Sequence, residues 1–132
     1  MTLEEFRARE QAQKDWAPGW EAIDAAFSAL YPGQEPDHYG TLLTARALLG
    51  GNEYLDGYSI YTSPHGHRHL VTYGMSELYA EESSLGGEYS KWGYEMTLKL
   101  PGQPAQACLW AIDLLSNLAR YTFTQNRWFE PY

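Results

Sequence analysis

The sequence predicts a single α+β domain, in which helices pack on a mainly antiparallel sheet of about four strands. The 132 residues are about as many as one domain usually contains. Apolar residues recur at spacings of three and four early and late in the chain, which is typical of helices. Between them, apolar and polar residues alternate along short stretches bounded by turn residues, which is typical of strands. Helices that flank a run of closely linked strands favour an antiparallel sheet.

The first predicted helix occupies residues 2–15. Thr2 and Glu5 fit a capping box, in which each side chain bonds a backbone amide at the start of the helix. This helix has few apolar residues with which to pack on a core. We therefore expect residues 1–16 to form a helical appendage and residues 17–132 to form the α+β domain.

The second predicted helix begins at Pro18, because proline suits the first turn of a helix, where its missing amide is not needed. The helix ends at the turn formed by Tyr31, Pro32 and Gly33. One face carries the apolar residues that we expect in the core, which are Trp20, Ile23, Phe27 and Leu30.

Four stretches are predicted as strands, namely residues 38–44, 57–62, 67–73 and 92–100. A turn at residues 50–52 separates the first two, and a polar loop at residues 80–90 separates the last two. Successive side chains of a strand point to opposite faces of the sheet. The third strand therefore directs His67, His69, Val71 and Tyr73 to one face, and the fourth groups Tyr94, Met96, Leu98 and Leu100.

The last predicted helix runs from about residue 104 to residue 123. Its polar positions form one narrow stripe, so we expect the helix to be covered on most of its sides. Cys108 is the only cysteine, which excludes an intramolecular disulfide. The apolar surroundings of this cysteine predict a buried, unreactive thiol.

The charge of the chain restricts its partners, since 17 acidic residues against 9 basic ones give a net charge of −8. Binding to nucleic acid requires clustered Lys and Arg, which this sequence lacks, so we expect no nucleic-acid partner. No apolar run is long enough to span a membrane, and no signal peptide is recognisable at the N-terminus. We therefore predict a cytoplasmic protein without a membrane partner. An acidic surface instead favours a basic protein partner.

Three histidines occur at alternate positions, His65, His67 and His69, a spacing that is typical of metal ligands on a strand. On one face of a strand they could bind a metal ion, with Glu77 or Glu95 as an added carboxylate. Histidines hydrogen-bonded to tyrosines inside a core are the alternative. A metal-binding protein or metalloenzyme that uses His67 and His69 is therefore our second interpretation.

Other catalytic patterns are missing from the sequence, which has neither a Gly-x-Ser-x-Gly nucleophile motif nor a glycine-rich phosphate loop. We therefore predict a protein that is not an enzyme and has no cofactor and no bound metal. The loop at residues 80–90 is a better candidate for function. It is acidic, it lies between Tyr79 and Trp92, and loops held by a rigid scaffold commonly carry binding. An ordinary solvated loop is the alternative.

Five blocks of the sequence occur in a characteristic order. They are LYPGQEP at 30–36, LGGNEYLDGYSIY at 49–61, HRHLVTYGMSELY at 67–79, WGYEMTLKL at 92–100 and LARYTF at 118–123. In this order they resemble the Suppressor of fused (SUFU) domain family, over roughly residues 20–128. The chain departs from the family at Arg68, where Trp is usual, and at residues 52–54, where a Pro-Asp-Pro type of turn is usual. Family members also continue into further strands and helices, so we expect residues 17–132 to be a domain truncated at its C-terminus.

The resemblance implies a SUFU-like fold and a non-enzymatic protein- or peptide-binding module. Bacterial members of the family are thought to serve as immunity proteins in toxin systems, which implies a basic toxin domain as the partner. The acidic binding residue that follows the Leu-Tyr step in the family corresponds to Glu81. We therefore predict that the partner is bound by Glu77, Tyr79, Glu81, Glu82 and Trp92. A homo-oligomer that pairs through the open edge of a truncated sheet is a third interpretation.

Overall fold

The computed structural model describes residues 1–13, 16–40, 55–87, 90–102 and 104–129. Its helices are α1 (Leu3–Ala12), α2 (Pro18–Leu30) and α3 (Leu109–Gln125). Its strands are β1 (Asp37–Gly40), β2 (Gly57–Thr62), β3 (His67–Tyr73) and β4 (Thr97–Pro101). Short 3₁₀ helices lie at Glu82–Ser84 and Ala105–Cys108. Within these residues, no helix combines the length and apolar content that crossing a membrane requires.

The four strands form one antiparallel sheet in the order β1-β2-β3-β4. Strands that are neighbours in sequence are therefore neighbours in space, and β2 and β3 are joined directly by the short connection at residues 63–66. Between β2 and β3 the register runs from Gly57 opposite Tyr73 to Thr62 opposite Arg68. This arrangement confirms the predicted α+β class with a mainly antiparallel sheet of four strands.

Both faces of the central strands are covered by helices. On one face, Phe27 and Tyr31 from the α2 region pack against Tyr61, Val71 and Tyr73. On the other face, α3 packs on the sheet and forms the larger apolar cluster, which includes Tyr58, Ile60, Leu70, Leu100, Leu115 and Ala119. Because alternate residues of a strand point to opposite faces, β2 and β3 bury nearly all of their side chains.

Polar side chains inside the α2 layer form a chain of hydrogen bonds. The Tyr73 hydroxyl donates to Asp24 Oδ1 at 2.8 Å and accepts from Ser59 Oγ at 3.3 Å. Ser59 Oγ is also 2.8 Å from Nδ1 of His38. Burial raises the pKa of the Tyr73 hydroxyl, so this group stays protonated and acts as a donor. The chain of bonds compensates for the loss of water around these groups.

The predicted strands agree with the sheet most closely at β2 and β3, whose bounds are confirmed, and Val71 and Tyr73 of β3 share a face as predicted. The predicted fourth strand, residues 92–100, was too long at its start, since β4 begins at Thr97. The backbone amide of Met96 donates to the Thr72 hydroxyl at 2.8 Å, which ends the regular ladder there. Of the predicted strand at 38–44, only the part in β1 can be compared, since residues 41–44 and the turn at 50–52 lie outside the described residues.

The predicted N-terminal helices are confirmed with two differences. The capping box of Thr2 and Glu5 is present, but α1 ends at Ala12, short of the predicted residue 15. The prediction that Leu30 lies in the core is wrong, because its side chain is 60% exposed. The helix ends there, and the buried ring of Tyr31 occupies the core instead.

The last helix also differs from its prediction. Pro104 precedes a 3₁₀ turn, and the α-helix begins only at Leu109. The helix is not covered on most sides, since Leu109, Trp110, Leu114 and Tyr121 remain between 42% and 56% exposed. The sheet covers only the face of α3 that carries small residues such as Ala111 and Ala119. Cys108 is fully buried, as predicted.

The start of α2 makes an unusually close approach to the segment that follows β3. The amides of Gly19 and Trp20 both donate to the Leu78 carbonyl, at 3.1 and 3.3 Å. These amides lie in the first turn of a helix, where no partner exists within the helix itself. A Cβ atom at position 19 would lie 1.8 Å from the Glu77 carbonyl oxygen, so only glycine allows this contact.

We predict that Gly19→Ala destabilises the protein by about 2 kcal/mol or more, although alanine is the better helix former. The added methyl group must push α2 away from residues 77 and 78. Urea denaturation measures the change. Ala25→Gly, at an exposed position of the same helix, is the control and should cost only about 1 kcal/mol. A Gly19→Ala variant as stable as the wild type would contradict the close approach.

Candidate functional site

The turn after β3 is organised by one carboxylate. Glu95 Oε1 accepts hydrogen bonds from Gly74 N at 2.8 Å, from Ser76 N at 2.9 Å and from Ser76 Oγ at 2.8 Å. Its other oxygen accepts from the Thr72 hydroxyl at 2.6 Å. Gly74 has a φ of +127°, and a Cβ there would lie 2.9 Å from the Asp56 amide. The direction in which the chain leaves β3 is therefore closely defined.

The residues that follow this turn are held by backbone bonds on both sides. Besides the two bonds to the Leu78 carbonyl, the Ala80 amide donates to the Trp16 carbonyl at 3.1 Å. The Glu77 amide donates to Ser90 Oγ at 2.9 Å. Leu78 points into the α2 layer and is 3% exposed, whereas the next side chain, Tyr79, is 54% exposed. The backbone thus presents Tyr79 to solvent from a fixed position.

Three predicted site residues, Glu77, Tyr79 and Glu81, line one surface hollow of about 370 Å³. Its apolar lining includes Phe6 and Trp16, whose rings lie 5.2 Å apart. Glu77 is half-buried and Glu81 is exposed. Neither carboxylate forms an ion pair within the described part of the chain. The hollow therefore combines an exposed aromatic ring, an apolar floor and two carboxylates that are available to a cation.

Glu82, the fourth predicted site residue, is engaged within the chain. Its two carboxylate oxygens accept hydrogen bonds from Arg7 of α1, at 3.1 Å from Nε and 2.7 Å from Nη2. This hydrogen bonding lowers the pKa of the Glu82 carboxyl and raises the pKa of the Arg7 guanidinium. Glu82 thus fastens α1 beside the hollow and is not open to a partner in this arrangement.

Trp92, the fifth predicted site residue, lies on a different surface. Its ring contacts Phe123 and Trp128, with centroids 5.7 and 4.8 Å away. It lines a separate hollow of about 350 Å³ together with Gly93, Tyr94 and Trp128. The structure therefore groups Glu77, Tyr79 and Glu81 and places Trp92 beside the end of α3.

The two histidines proposed as metal ligands lie on β3 in different surroundings. His69 is buried, its Nδ1 is 2.8 Å from the Tyr31 hydroxyl, and its ring meets Phe27 edge-on at 5.0 Å. His67 is half-buried at the start of the strand. No three His, Cys, Asp or Glu side chains among the described residues are grouped as a metal site would require. The proposed carboxylate ligand Glu95 is bonded instead to Thr72, Gly74 and Ser76.

Burial lowers the pKa of His69, and the nearby Lys99 and His67 act in the same direction. His69 is therefore neutral at pH 7. Its Nε2 atom is buried and has no hydrogen-bond partner among the described residues, and the same holds for Nε1 of Trp16. The histidine interacts with a tyrosine inside the core, which was the alternative interpretation of the pattern.

A sequence comparison shows to which protein family this chain belongs. The model of the Suppressor of fused protein (SUFU) family matches residues 51–132, which is 82 of the 132 residues. The chain belongs to this family. The SUFU match spans β2, β3, the turn held by Glu95, and α3, so the region that carries Tyr79 lies inside it.

A comparison of structures agrees with the SUFU assignment. The chain is similar to a protein in the Sufu-Fu complex crystal structure, with a TM-score of 0.70 and 27% sequence identity. The similarity covers 86% of this chain, so it extends beyond the region matched by the SUFU family model. The chain spans 56% of the length of the solved chain. A search of curated proteins found no match.

Several residues that shape the site of this SUFU domain were missed in the sequence. Gly19 lies in the first turn of a predicted helix, where glycine is unremarkable, and Arg7 is 75 positions away from Glu82. No local pattern connects either residue with the loop. The sequence indicates a role for Trp16 only weakly, through the position of this large apolar residue between two predicted helices. The sequence pattern indicates Glu95 only as a metal ligand beside His67 and His69, not as an acceptor for the turn after β3.

We predict that Glu95→Ala destabilises the domain by about 2–4 kcal/mol, because it leaves the amides of Gly74 and Ser76 without their acceptor. Glu95→Gln should be much milder, since its amide oxygen can still accept the three bonds now made by Oε1. Urea denaturation compares both variants, with exposed Glu10→Ala as the control. Equal losses for the Ala and Gln variants would contradict the role of Glu95 as an acceptor.

The lowered pKa of His69 predicts that stability falls on mild acidification. The unfolded chain takes up a proton near the ordinary histidine pKa of about 6.5, whereas the folded chain does so only at lower pH. The free energy of unfolding should therefore decrease as the pH falls from about 7 to about 5.5. His38, whose pKa burial also lowers, contributes in the same sense.

The variant His69→Gln should show a smaller decrease over this pH range, as measured by urea denaturation at each pH. His65→Gln changes an exposed histidine and is the control, for which we expect the wild-type decrease. An identical pH dependence for the His69→Gln variant and the wild type would show that His69 does not titrate as its burial requires.

Proposed function

We propose that this SUFU domain is a non-enzymatic protein-binding module that receives a segment of another protein in the hollow lined by Glu77, Tyr79 and Glu81. The observation that carries the proposal is the setting of Tyr79. Its ring is 54% exposed, although the backbone on both sides of it is fixed by hydrogen bonds to residues 16–20. Membership of the SUFU family and the similarity to a protein of the Sufu-Fu complex support it.

Tyr79 has the properties of an interface anchor. Tyrosine is enriched among the residues that contribute most to protein–protein binding, because it offers a large apolar ring and a polar tip. A side chain on a fixed backbone loses less conformational entropy on binding than one on a mobile loop. The apolar floor formed by Phe6 and Trp16 adds surface that a partner's side chain can bury.

The charge at the hollow indicates what kind of segment fits. Glu77 and Glu81 have no ion-pair partner in the described residues, and the chain carries a net charge of −8. A Lys or Arg side chain that follows an apolar residue would place its charge at these carboxylates and its neighbour on the floor. Such complementarity raises the rate of association and the specificity of binding.

As a finer proposal, the partner is a basic toxin domain and this chain is its immunity protein, located in the cytoplasm. The resemblance to bacterial SUFU members and the acidic surface support this proposal. Co-expression provides a direct test, in which the product of a neighbouring toxin gene arrests growth and this chain restores it. Restoration by the wild type, and by Leu30→Ala but not by Tyr79→Ala, would place the protection at the proposed site.

The general proposal is tested with a displayed library of random peptides selected on the wild-type protein. We expect enriched peptides that combine Lys or Arg with an apolar residue. Tyr79→Ala should weaken their binding about tenfold or more. Glu77→Gln combined with Glu81→Gln should weaken it about three- to tenfold and reduce its dependence on salt. Calorimetry on one enriched peptide measures these changes.

Two control variants separate the site from general effects. Leu30→Ala removes an apolar side chain of similar exposure at the end of α2, and Glu10→Gln removes an exposed carboxylate on α1. Both should bind like the wild type. A library without enriched peptides would contradict the binding function, whereas enriched peptides that bind Tyr79→Ala normally would contradict the site alone.

A further inference from the structure

The outward face of α3 carries a row of large apolar side chains that no other described residue covers. Trp110, Leu114 and Tyr121 are 56%, 43% and 44% exposed. Their spacing of four and seven positions places them on one face of the helix, because residues three, four and seven apart lie close together there. Phe129 stacks on Tyr121 at 5.6 Å and extends the apolar surface past the end of the helix.

One flank of this row carries two opposite charges. Asp113 and Arg120 are both exposed, and they are seven positions apart, which is almost two full turns. They therefore lie on the same side of the apolar row. In the described residues, neither takes part in an ion pair. Asn117 lies halfway along the helix between Trp110 and Thr124.

We propose that two copies of this chain pair through α3, with the two helices antiparallel around a two-fold axis near Asn117. In this arrangement, Leu114 of each copy lies opposite Tyr121 of the second copy. The same axis brings the same flank of the two helices together, so Asp113 lies opposite Arg120 of the second copy. Each contact then occurs twice, as a two-fold interface requires.

The pattern favours a second copy over an unrelated partner because the surface is complementary to itself. Its apolar residues meet apolar residues, and each charge meets the opposite charge. In a parallel pair, the two-fold axis would place this flank of the two helices on opposite sides of the interface, so Asp113 and Arg120 would not meet a charge of the opposite sign. The 17 residues of α3 make a contact about 25 Å long. The surface does not include Glu77, Tyr79 or Glu81, so pairing leaves the hollow open to its partner.

Sedimentation equilibrium over a range of concentrations tests the proposal with charge-reversed variants. The wild type should show a concentration-dependent dimer. Asp113→Arg alone and Arg120→Asp alone should each raise the dimer dissociation constant about tenfold or more, since each places like charges together twice. An equimolar mixture of the two single variants should form a heterodimer, because every charge then meets its opposite. The double variant should dimerise like the wild type.

The apolar contact is tested with Leu114→Asp, which should abolish the dimer. Leu30→Asp is the matched control, since Leu30 is a similarly exposed leucine at the end of α2 and should not affect pairing. Circular dichroism checks that each variant is folded. A wild type that stays monomeric at hundreds of micromolar would overturn the proposal. Failure of both the mixture and the double variant to regain the dimer would overturn it as well.

Discussion

The hydrogen bonds accepted by the Glu95 carboxylate are the interaction on which the rest of the site depends. They join the end of β3 to the segment before β4 and fix the turn through Gly74 and Ser76. From that turn the chain runs to Leu78, whose carbonyl accepts the first free amides of α2. A carboxylate accepts such bonds more strongly than a neutral oxygen would. One half-buried carboxylate thus determines where Tyr79 stands and where α2 begins.

The sheet supports this arrangement because helices cover both of its faces. A strand buried on both sides cannot leave polar groups unpaired without a large energetic cost. The structure meets this constraint with side-chain pairs, such as Tyr73 with Asp24 in the α2 layer and Tyr58 with Ser116 in the α3 layer. The polar groups of β2 and β3 therefore form hydrogen bonds that connect the sheet to α2 and α3.

The fold was predictable where local patterns determine structure. The alternation in β3, the capping box of α1 and the proline at the start of α2 each depend on neighbouring residues. Glu77, Tyr79 and Glu81 could be placed together because alternate residues of an extended segment share a side. Trp92 could not be placed, and neither could the pair of Arg7 with Glu82, since both depend on distant contacts. The exposed face of α3 was missed because composition does not show how much of a helix a sheet covers.

The attachment of α1 has a kinetic consequence for the hollow. Its described links to the rest of the chain are the exposed pair of Arg7 with Glu82 and the contacts of Phe6 and Arg9 with Trp16. Exposed ion pairs contribute little free energy and weaken further in salt. We therefore expect α1 to detach at a lower free-energy cost than unfolding of the sheet requires, although the burial of Phe6 opposes detachment. Its amide hydrogens would exchange with solvent sooner than those of β2 and β3, and each detachment would remove Phe6 from the apolar floor and leave only Trp16 of that pair in the hollow.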